Sequence, residues 1–233
     1  MEKVIYTISF VDEPGAPQVG DRLRGEVAAR LLDLGAHALQ FNVADDDVSA
    51  ADGLRMTTSE APADAFASIW VDSAADHLRS PYDAAIALAG GRQAAYLVTE
   101  SVPIRNTQFP VAPGERTPGM AQVVCFRHPK DLPEADFLEL WLGSHTQIAI
   151  DTQDTFSYVQ NVVQRVLTPG APAWHAIVEE CFPAAAMFDP EVFFDAVGDP
   201  ERLARHGQIM LESVQRFIDF DAIDVIPTSR YDN

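Results

Sequence analysis

Two kinds of hydrophobic pattern alternate along the chain. Short runs of apolar and β-branched residues predict strands, and segments whose apolar residues recur every three or four positions predict amphipathic helices. Read in order, the first half gives strand, helix, strand, strand, helix, strand, and the second half repeats that order. The predicted strands are residues 4–10, 38–43, 66–71, 94–102, 122–126, 156–167, 176–182 and 223–231.

Polar residues and prolines mark where the remaining elements begin and end. Ser80 followed by Pro81 predicts a helix start with Ser80 as its N-cap. Two Asp-Pro pairs predict tandem helix starts before the last strand, namely Asp189-Pro190 and Asp199-Pro200. The acidic, small-residue stretch 45–62 predicts a loop. Pro227 lacks a backbone N–H, which predicts that part of the last strand lies at an edge.

The helix predicted over residues 133–150 carries a hydrophobic stripe that should face a sheet. Its members have the spacing of one helical face and are Phe137, Leu140, Trp141, Ser144, His145 and Ile148. The strand that follows is apolar on both faces, which indicates that both faces are covered. Tyr158 and Gln160 share one of those faces. These polar groups predict a lined cavity on that side rather than a dry core.

Residues 106–119 separate the two repeats. That segment contains three prolines and two glycines and lacks periodicity, so it predicts a linker. It divides the chain into an N-terminal half, residues 1–105, and a C-terminal half, residues 120–233. Each half has the order of a ferredoxin-like unit, βαββαβ, with helices on one face of an antiparallel sheet. The predicted fold is therefore α+β, with two ferredoxin-like halves whose sheets pack face to face as a pseudo-dimeric α/β barrel.

Charge and cysteine content narrow the classes of partner. The 233 residues include Lys+Arg 16 and Asp+Glu 35, a net charge of −19 that repels nucleic-acid phosphates and anionic membrane surfaces. No apolar run approaches the ~18 residues of a membrane span, and the N-terminus turns acidic too early for a secretory signal. Cys125 and Cys181 lie in apolar runs and do not form a disulfide framework, which indicates a cytoplasmic protein. These properties do not determine the oligomeric state, and a homodimer is one alternative.

The spacing Phe137-x3-Trp141-x3-His145, between one strand and a second strand containing a tyrosine, resembles the EthD family. The segment VEECFP and the closing strand after a long helix are also similar to that family. The resemblance is most specific over residues 120–231, and the N-terminal half looks like a diverged second copy. It implies a dimeric α/β barrel with a pocket between the sheets and no obligatory cofactor. It does not select a reaction, because relatives in this barrel group include cyclases, monooxygenases, isomerases and haem-binding enzymes.

Three titratable residues are candidates for proton transfer. His145 should point inward from its helix, and an imidazole titrates near neutral pH. The competing interpretation is a core histidine bonded to a backbone carbonyl. Glu100 and Glu180 lie on strands predicted to be covered, where burial raises the pKa of an unpaired carboxylate. The alternatives for the carboxylates are a strand end that reaches water or an ion pair with one of Arg105, Arg127 and Arg165.

Five further residues are candidates to contact a ligand in the cavity, as hydrogen-bonding groups or as aromatic walls. They are Trp141, Tyr158, Tyr96, Tyr6 and Gln160. The alternative for each aromatic residue is a core position with its polar atom satisfied. For the strand that contains Glu180, the neighbouring Glu179 is expected on the outward face.

The sequence lacks GxSxG, GxGxxG, GxxxxGK[ST], HExxH and CxxC, so several common chemistries have no support. Its histidines are scattered, which predicts no metal site, and no cofactor is expected. A haem with one axial histidine is the alternative, since a single ligand leaves no spacing signature. The leading hypothesis is a cofactor-independent enzyme that performs acid/base chemistry (cyclisation, isomerisation, decarboxylation or a lyase step) on a small apolar organic molecule. The alternative is a non-catalytic binding or accessory protein of a degradative oxidation pathway.

Overall fold

A computed structural model describes residues 1–11 and 18–233 as one closed antiparallel β-barrel surrounded by helices. The eight predicted strands all form, with ends shifted by a few residues. They are β1 (Glu2–Ser9), β2 (Ala38–Val43), β3 (Ala65–Val71), β4 (Arg92–Ile104), β5 (Met120–Phe126), β6 (Ser157–Val166), β7 (Ala176–Phe182) and β8 (Ile223–Asp232). The predicted α+β barrel architecture is confirmed.

The strand order around the barrel is β1-β3-β2-β8-β5-β7-β6-β4, and β4 returns to β1. Strands β1–β4 are therefore neighbours in the order β4-β1-β3-β2, and β5–β8 in the order β8-β5-β7-β6. Two seams join these groups: β2 pairs with β8, and β4 pairs with β6. Hydrogen bonding across both seams leaves no free edge in the barrel.

Alternate residues of each strand point into the barrel or out towards the helices. The inward apolar residues form a cluster that includes Ile5, Phe66, Tyr96 and Ile226. The outward residues of β1–β4 pack in one helix-covered cluster, and those of β5–β8 pack in another. Each strand is consequently covered on both faces, as its two-sided apolar pattern predicted.

The helices lie outside the barrel and two of them contain a widened π-helical turn. Helix α1 (residues 19–33) comprises Val19–Arg22, the π-helical Leu23–Val27 and Ala28–Asp33; α2 is Asp76–Ile86. Helix α3 (residues 134–152) comprises Glu134–Leu138, the π-helical Glu139–His145 and Thr146–Thr152. Helices α4 (Pro190–Phe193) and α5 (Pro200–Val214) precede β8. Within the described residues, no helix is both long enough and apolar enough to cross a membrane.

The π-helical turn changes which residues of α3 are buried. The buried positions are Phe137, Trp141, His145, Ala149 and Thr152, of which the first four have a constant spacing of four. In a regular helix of 3.6 residues per turn, that spacing drifts steadily around the axis. A π-helical turn holds more residues per turn and keeps these side chains on one face. Ser144, which the regular pattern placed on the stripe, is exposed.

The predicted start of α2 at Ser80 is wrong, because the helix begins at Asp76 and includes Pro81. Arg79 explains the earlier start. Its buried guanidinium donates to the Ala74 carbonyl at 2.8 Å and to Asp76 and Asp83, which ties the first turn to the preceding chain. These contacts stabilise a turn that the sequence pattern alone did not indicate.

Other local predictions hold with adjustments. Asp189 and Asp199 are the N-caps of α4 and α5, each accepting a backbone N–H bond at 2.9 Å. The predicted loop 45–62 includes a 3₁₀ helix, Asp46–Leu54.

Pro227 pairs with β5, but the β2–β8 seam begins only at Ser229. Its missing N–H therefore falls where β8 has no β2 partner.

Candidate functional site

Five predicted site residues lie outside the barrel, in the layer between β5–β8 and their helices. They are Trp141, His145, Tyr158, Gln160 and Glu180. The Gln160 amide is 3.0 Å from the Tyr158 hydroxyl and 2.9 Å from the Thr146 hydroxyl on α3. Helix α3 thus covers the face for which the sequence predicted a lined cavity, and its side chains hydrogen bond with the strand's polar groups.

His145 is buried in that layer and bonds to a hydroxyl. Its Nδ1 is 2.9 Å from Ser213 Oγ, and its ring centroid is 4.8 Å from that of Phe217. Burial, and then the charge of Arg216, lower the pKa of His145 to about 4. The imidazole is therefore neutral and only weakly basic at pH 7. Its assignment as the catalytic acid or base stays a prediction.

Glu180 is a buried carboxyl group on the same outer face. Burial raises its pKa to about 7, and it lies opposite Tyr158 in the β6–β7 ladder. Within the described ranges it has no hydrogen bond or ion pair from its side chain. Its pKa suits a general acid or base at neutral pH, but it lines neither of the two cavities found at the ends of the barrel. Its catalytic assignment likewise stays a prediction.

The two remaining predicted tyrosines have satisfied hydroxyls. Tyr6 faces outward from β1 and donates to Asp83 Oδ1 at 2.7 Å. Tyr96 points into the barrel and donates to the Pro172 carbonyl at 3.1 Å. Of the predicted site residues, the structure brings only Tyr96 and Glu100 together on the inward face of one strand.

Glu100 belongs to a cluster of charged groups inside the barrel. Lys3 Nζ lies 2.6 Å from Glu100 Oε2 and 3.4 Å from Glu179 Oε1. The side chains of Lys3 and Glu179 are each 3% exposed, whereas that of Glu100 is 26% exposed. Glu179, expected on the outward face, is therefore the inward residue, and Glu180 is the outward one.

Polar neighbours satisfy the buried members of the cluster. Glu179 accepts hydrogen bonds from Gln40 and from Asn161, and Trp70 covers Lys3 with its ring centroid 4.7 Å from Nζ. Burial favours the protonated form of Glu179, but Lys3 and Arg230 outweigh it and lower the pKa of that carboxyl. Glu179 is thus ionised at neutral pH, as a paired and hydrogen-bonded buried charge must be.

A cavity of about 470 Å³ opens above this cluster at one end of the barrel. Its polar lining comes from the ends of four strands and the predicted linker and includes Gln40, Glu100, Arg105, Ser157, Arg230 and Asp232. Its apolar lining includes Trp70, Val102, Phe109 and Val159. Together with Lys3 and Glu179, we call this cavity the charged end.

The charged end can hold a ligand and move a proton. Glu100 accepts from Lys3 through Oε2, while its Oε1 has no hydrogen-bond partner in residues 1–11 and 18–233. The cluster and lining contain three cations, Lys3, Arg105 and Arg230, against three carboxylates, Glu100, Glu179 and Asp232.

Lys3 and Glu179 are the functional candidates that the sequence analysis missed. Because β1 and β7 are apolar on both faces, alternation does not tell which face holds a charged residue. The usable signal is that Lys3 lies inside an apolar strand run, where a lysine requires a partner. Which carboxylate pairs with Lys3 depends on how strands that are distant in the sequence align in the barrel.

Metal and haem sites each require particular ligands in the right place. Within the described part of the chain, no three or more His, Cys, Asp or Glu residues cluster to hold a metal ion. A haem needs a cleft beside an axial histidine, and neither end cavity has a histidine in its lining. The residues lining these cavities do not fit a haem.

Comparisons with known proteins identify the fold. No protein-family model matches the sequence, and no curated protein matches it. A solved structure described as an anthrone oxidase-like protein is similar over 99% of this chain and 93% of its own, at 8% identity and a TM-score of 0.56. The chain has the dimeric α/β-barrel fold. A dye-decolorizing peroxidase from Bacteroides thetaiotaomicron VPI-5482 is similar over 97% of this chain and 93% of its own, at 10% identity and a TM-score of 0.46.

Proposed function

We propose that this protein is an enzyme that binds a small organic molecule at the charged end and transfers a proton with Glu100. The observation that carries the proposal is the pairing of Glu100 Oε2 with the buried Lys3 ammonium, while Oε1 has no hydrogen-bond partner in the described residues and the Glu100 side chain lines the cavity. One oxygen is thus fixed by a strong charge-assisted bond. The other is available to a ligand's acidic hydrogen.

The lining supports a ligand with an apolar body and a polar end. Trp70, Val102 and Phe109 provide apolar contact, while the Arg230 guanidinium provides N–H donors. A carbonyl oxygen directed at these donors would gain negative charge when a neighbouring C–H loses its proton to Glu100. Fixed donors stabilise such a developing charge. The proposed step needs only groups of this chain.

A deuterium-exchange experiment tests the proposal with a pool of compounds in place of a single substrate. The protein is incubated in D₂O with small ketones and phenols, and ligand mass is read by mass spectrometry. Anthrone is included because the fold neighbour is described as anthrone oxidase-like. We expect enzyme-dependent deuterium uptake in at least one compound, reduced by about 10²-fold or more in Glu100→Gln, the usual size of a general-base effect.

Glu60→Gln is the matched control, because Glu60 is an exposed carboxylate at the opposite end of the barrel. It should exchange at the wild-type rate. Loss of exchange in both variants, or full exchange in Glu100→Gln, would rule out Glu100 as the base.

The second candidate function is non-catalytic binding in the same cavity. The hydrogen bonds that hold Lys3 and Glu179 favour it, since binding requires only fixed polar groups next to the cavity. It predicts saturable binding of a ligand with no deuterium exchange at any pH from 5 to 9.

We further propose that the two halves are ferredoxin-like repeats of EthD type. The strand orders β4-β1-β3-β2 and β8-β5-β7-β6 are equivalent within the two halves, and both first helices contain a π-helical turn. Separate expression of residues 120–233 tests the repeat: an autonomous unit should pair with a second copy of itself to complete a barrel.

A further inference from the structure

A second cavity, of about 390 Å³, lies at the other end of the barrel. Its lining includes Thr7 and Ser9 from the end of β1 and Arg92 from the start of β4. Arg127, just after β5, also lines it. Lys3 and Glu100 lie at the opposite ends of β1 and β4. We call this second cavity the arginine end, and its chemistry is independent of the proposal for the charged end.

Arg92 and Arg127 are exposed residues that line the arginine end. Within residues 1–11 and 18–233, neither guanidinium makes a hydrogen bond or ion pair. Ion pairs engage Arg24, Arg79, Arg116, Arg202 and Arg230, whereas Arg30, Arg55, Arg105, Arg165 and Arg205 likewise have no side-chain partner in the described residues. What distinguishes Arg92 and Arg127 is that both line the same cavity.

The two arginines come from opposite walls. Arg127 continues the inward series of β5 after Cys125, while Arg92 lies beside β1. In the strand order, β1 and β5 are four strands apart in a barrel of eight, and so lie across the lumen from each other. The Arg92 and Arg127 guanidinium groups would therefore contact an anion at the cavity mouth from opposite sides.

Ser9 supplies a third polar group at the same place. It is 6% exposed, it lines the cavity, and its hydroxyl has no hydrogen-bond partner among the residues that the structure describes. It pairs directly with Arg92 across the β1–β4 ladder, so both side chains stand on the inward face. A buried hydroxyl without a partner costs free energy unless a ligand or water satisfies it.

Aromatic side chains form the apolar wall below these groups. Phe66 and Trp174 line the cavity together with Ile226. The segment that carries Trp174 is held in place by the Tyr96 hydroxyl, which donates to the Pro172 carbonyl. Cys125 also lines this wall, and burial raises the pKa of its thiol well above the usual value, so it adds no charge.

Three carboxylates line this cavity beside the two arginines. Asp224 is buried and accepts from the Thr58 and Ser59 amides at 2.8 and 3.0 Å and from the Ser59 hydroxyl. Glu60 and Asp221 line the same cavity but are exposed. Neither forms an ion pair with Arg92 or Arg127.

We propose that the arginine end binds a small aromatic carboxylate. The carboxylate lies between Arg92 and Arg127 and accepts from the Ser9 hydroxyl, and the ring packs against Phe66 and Trp174. Guanidinium groups suit this ligand because their planar N–H donors match a carboxylate. The aromatic floor selects a ring over an aliphatic acid of the same charge.

Titration of the full-length protein with benzoate and 2-naphthoate, followed by two-dimensional amide NMR, tests this inference. We expect saturable shifts that include the Trp174 indole N–H, with 2-naphthoate binding more tightly. Arg92→Gln and Arg127→Gln should each raise Kd at least about 10-fold, the effect of removing a hydrogen bond to a charged group. Ser9→Ala should raise it by roughly 3- to 10-fold.

Arg205→Gln, on the exposed face of α5, is the matched control and should leave Kd unchanged. Benzylamine reverses the ligand's charge and should not produce the Trp174 shift. The inference is overturned if neither acid binds saturably, if benzylamine binds as tightly as benzoate, or if Kd is unchanged in Arg92→Gln or Arg127→Gln variants whose spectra show a folded protein.

Discussion

Lys3 Nζ lies 3.4 Å from Glu179 Oε1 inside the barrel, although the two residues are 176 positions apart in the sequence. The contact connects the first strand to the seventh across the lumen. Both side chains are almost completely buried, so each charge depends on the other.

Lys3→Met should lower the free energy of unfolding by about 3–5 kcal/mol at pH 7, because it leaves Glu179 buried and without its main cationic partner. Urea denaturation measures the change. Lys130→Met removes an exposed lysine and should alter stability by less than about 0.5 kcal/mol. The double variant Lys3→Met/Glu179→Met should recover much of the loss, since paired apolar replacements remove both desolvation costs. A double variant as unstable as the single one contradicts this account.

Glu180 should make the protein less stable as pH rises. Its pKa is about 7 in the folded state against 4.5 when unfolded. Between these values the folded state holds a proton that the unfolded state has lost, so stability falls on going from pH 4.5 to pH 7. Glu180→Gln should therefore stabilise the protein by on the order of 3 kcal/mol at pH 8 relative to wild type, and by little at pH 4.5.

Denaturation curves at the two pH values measure the Glu180 effect. Glu139→Gln changes an exposed carboxylate on α3 and should show no such pH dependence. Equal effects of Glu180→Gln at both pH values would mean that the carboxyl titrates normally.

His145 should contribute a pH dependence of opposite sign to that of Glu180 over nearly the same pH range. Its pKa is about 4 when folded and 6.5 when unfolded, so the unfolded state takes up the proton first as pH falls. The contribution of His145 to the free energy of unfolding should therefore decrease by roughly 3 kcal/mol between pH 6.5 and pH 4. NMR titration should show the His145 ring unprotonated at pH 5. His77→Gln, at an exposed position on α2, should keep the pH slope that His145→Gln loses.

Gly119→Ala should destabilise the protein by several kcal/mol. Gly119 has φ of +89°, and a Cβ at this position would lie 2.0 Å from the Phe182 carbonyl oxygen, so the backbone must shift. Gly25→Ala is the control, because a Cβ there meets nothing within 4 Å. It should be neutral or stabilise by up to about 1 kcal/mol. Thermal unfolding distinguishes the two, and equal melting temperatures would refute the steric argument.

Local chemistry made much of the fold predictable. The Asp189 and Asp199 caps lie within two or three residues of the N–H groups that they accept, so the sequence contains both partners. The strands are visible because their apolar runs are short and bounded by turn residues. The α2 start was misplaced because Arg79 stabilises it through side-chain contacts that no propensity describes.

The site was less predictable because its contacts are long-range. Glu100 was a candidate from its position on an apolar strand, but its partner Lys3 comes from the other side of the β1–β4 ladder. A shift of one position along β7 moves a side chain from the lumen to the outer layer. It therefore decides which of Glu179 and Glu180 faces inward. The sequence pattern around them is apolar on both faces and does not distinguish the two assignments.

The seam between β2 and β8 has a consequence for synthesis on the ribosome. Strand β2 is made early, but its partner β8 begins only at Ile223. During most of translation, the edge of β2 that β8 will cover has no strand to pair with, and an open edge is a template for pairing with other chains. A chaperone that shields this edge until β8 emerges should therefore increase the yield of folded protein.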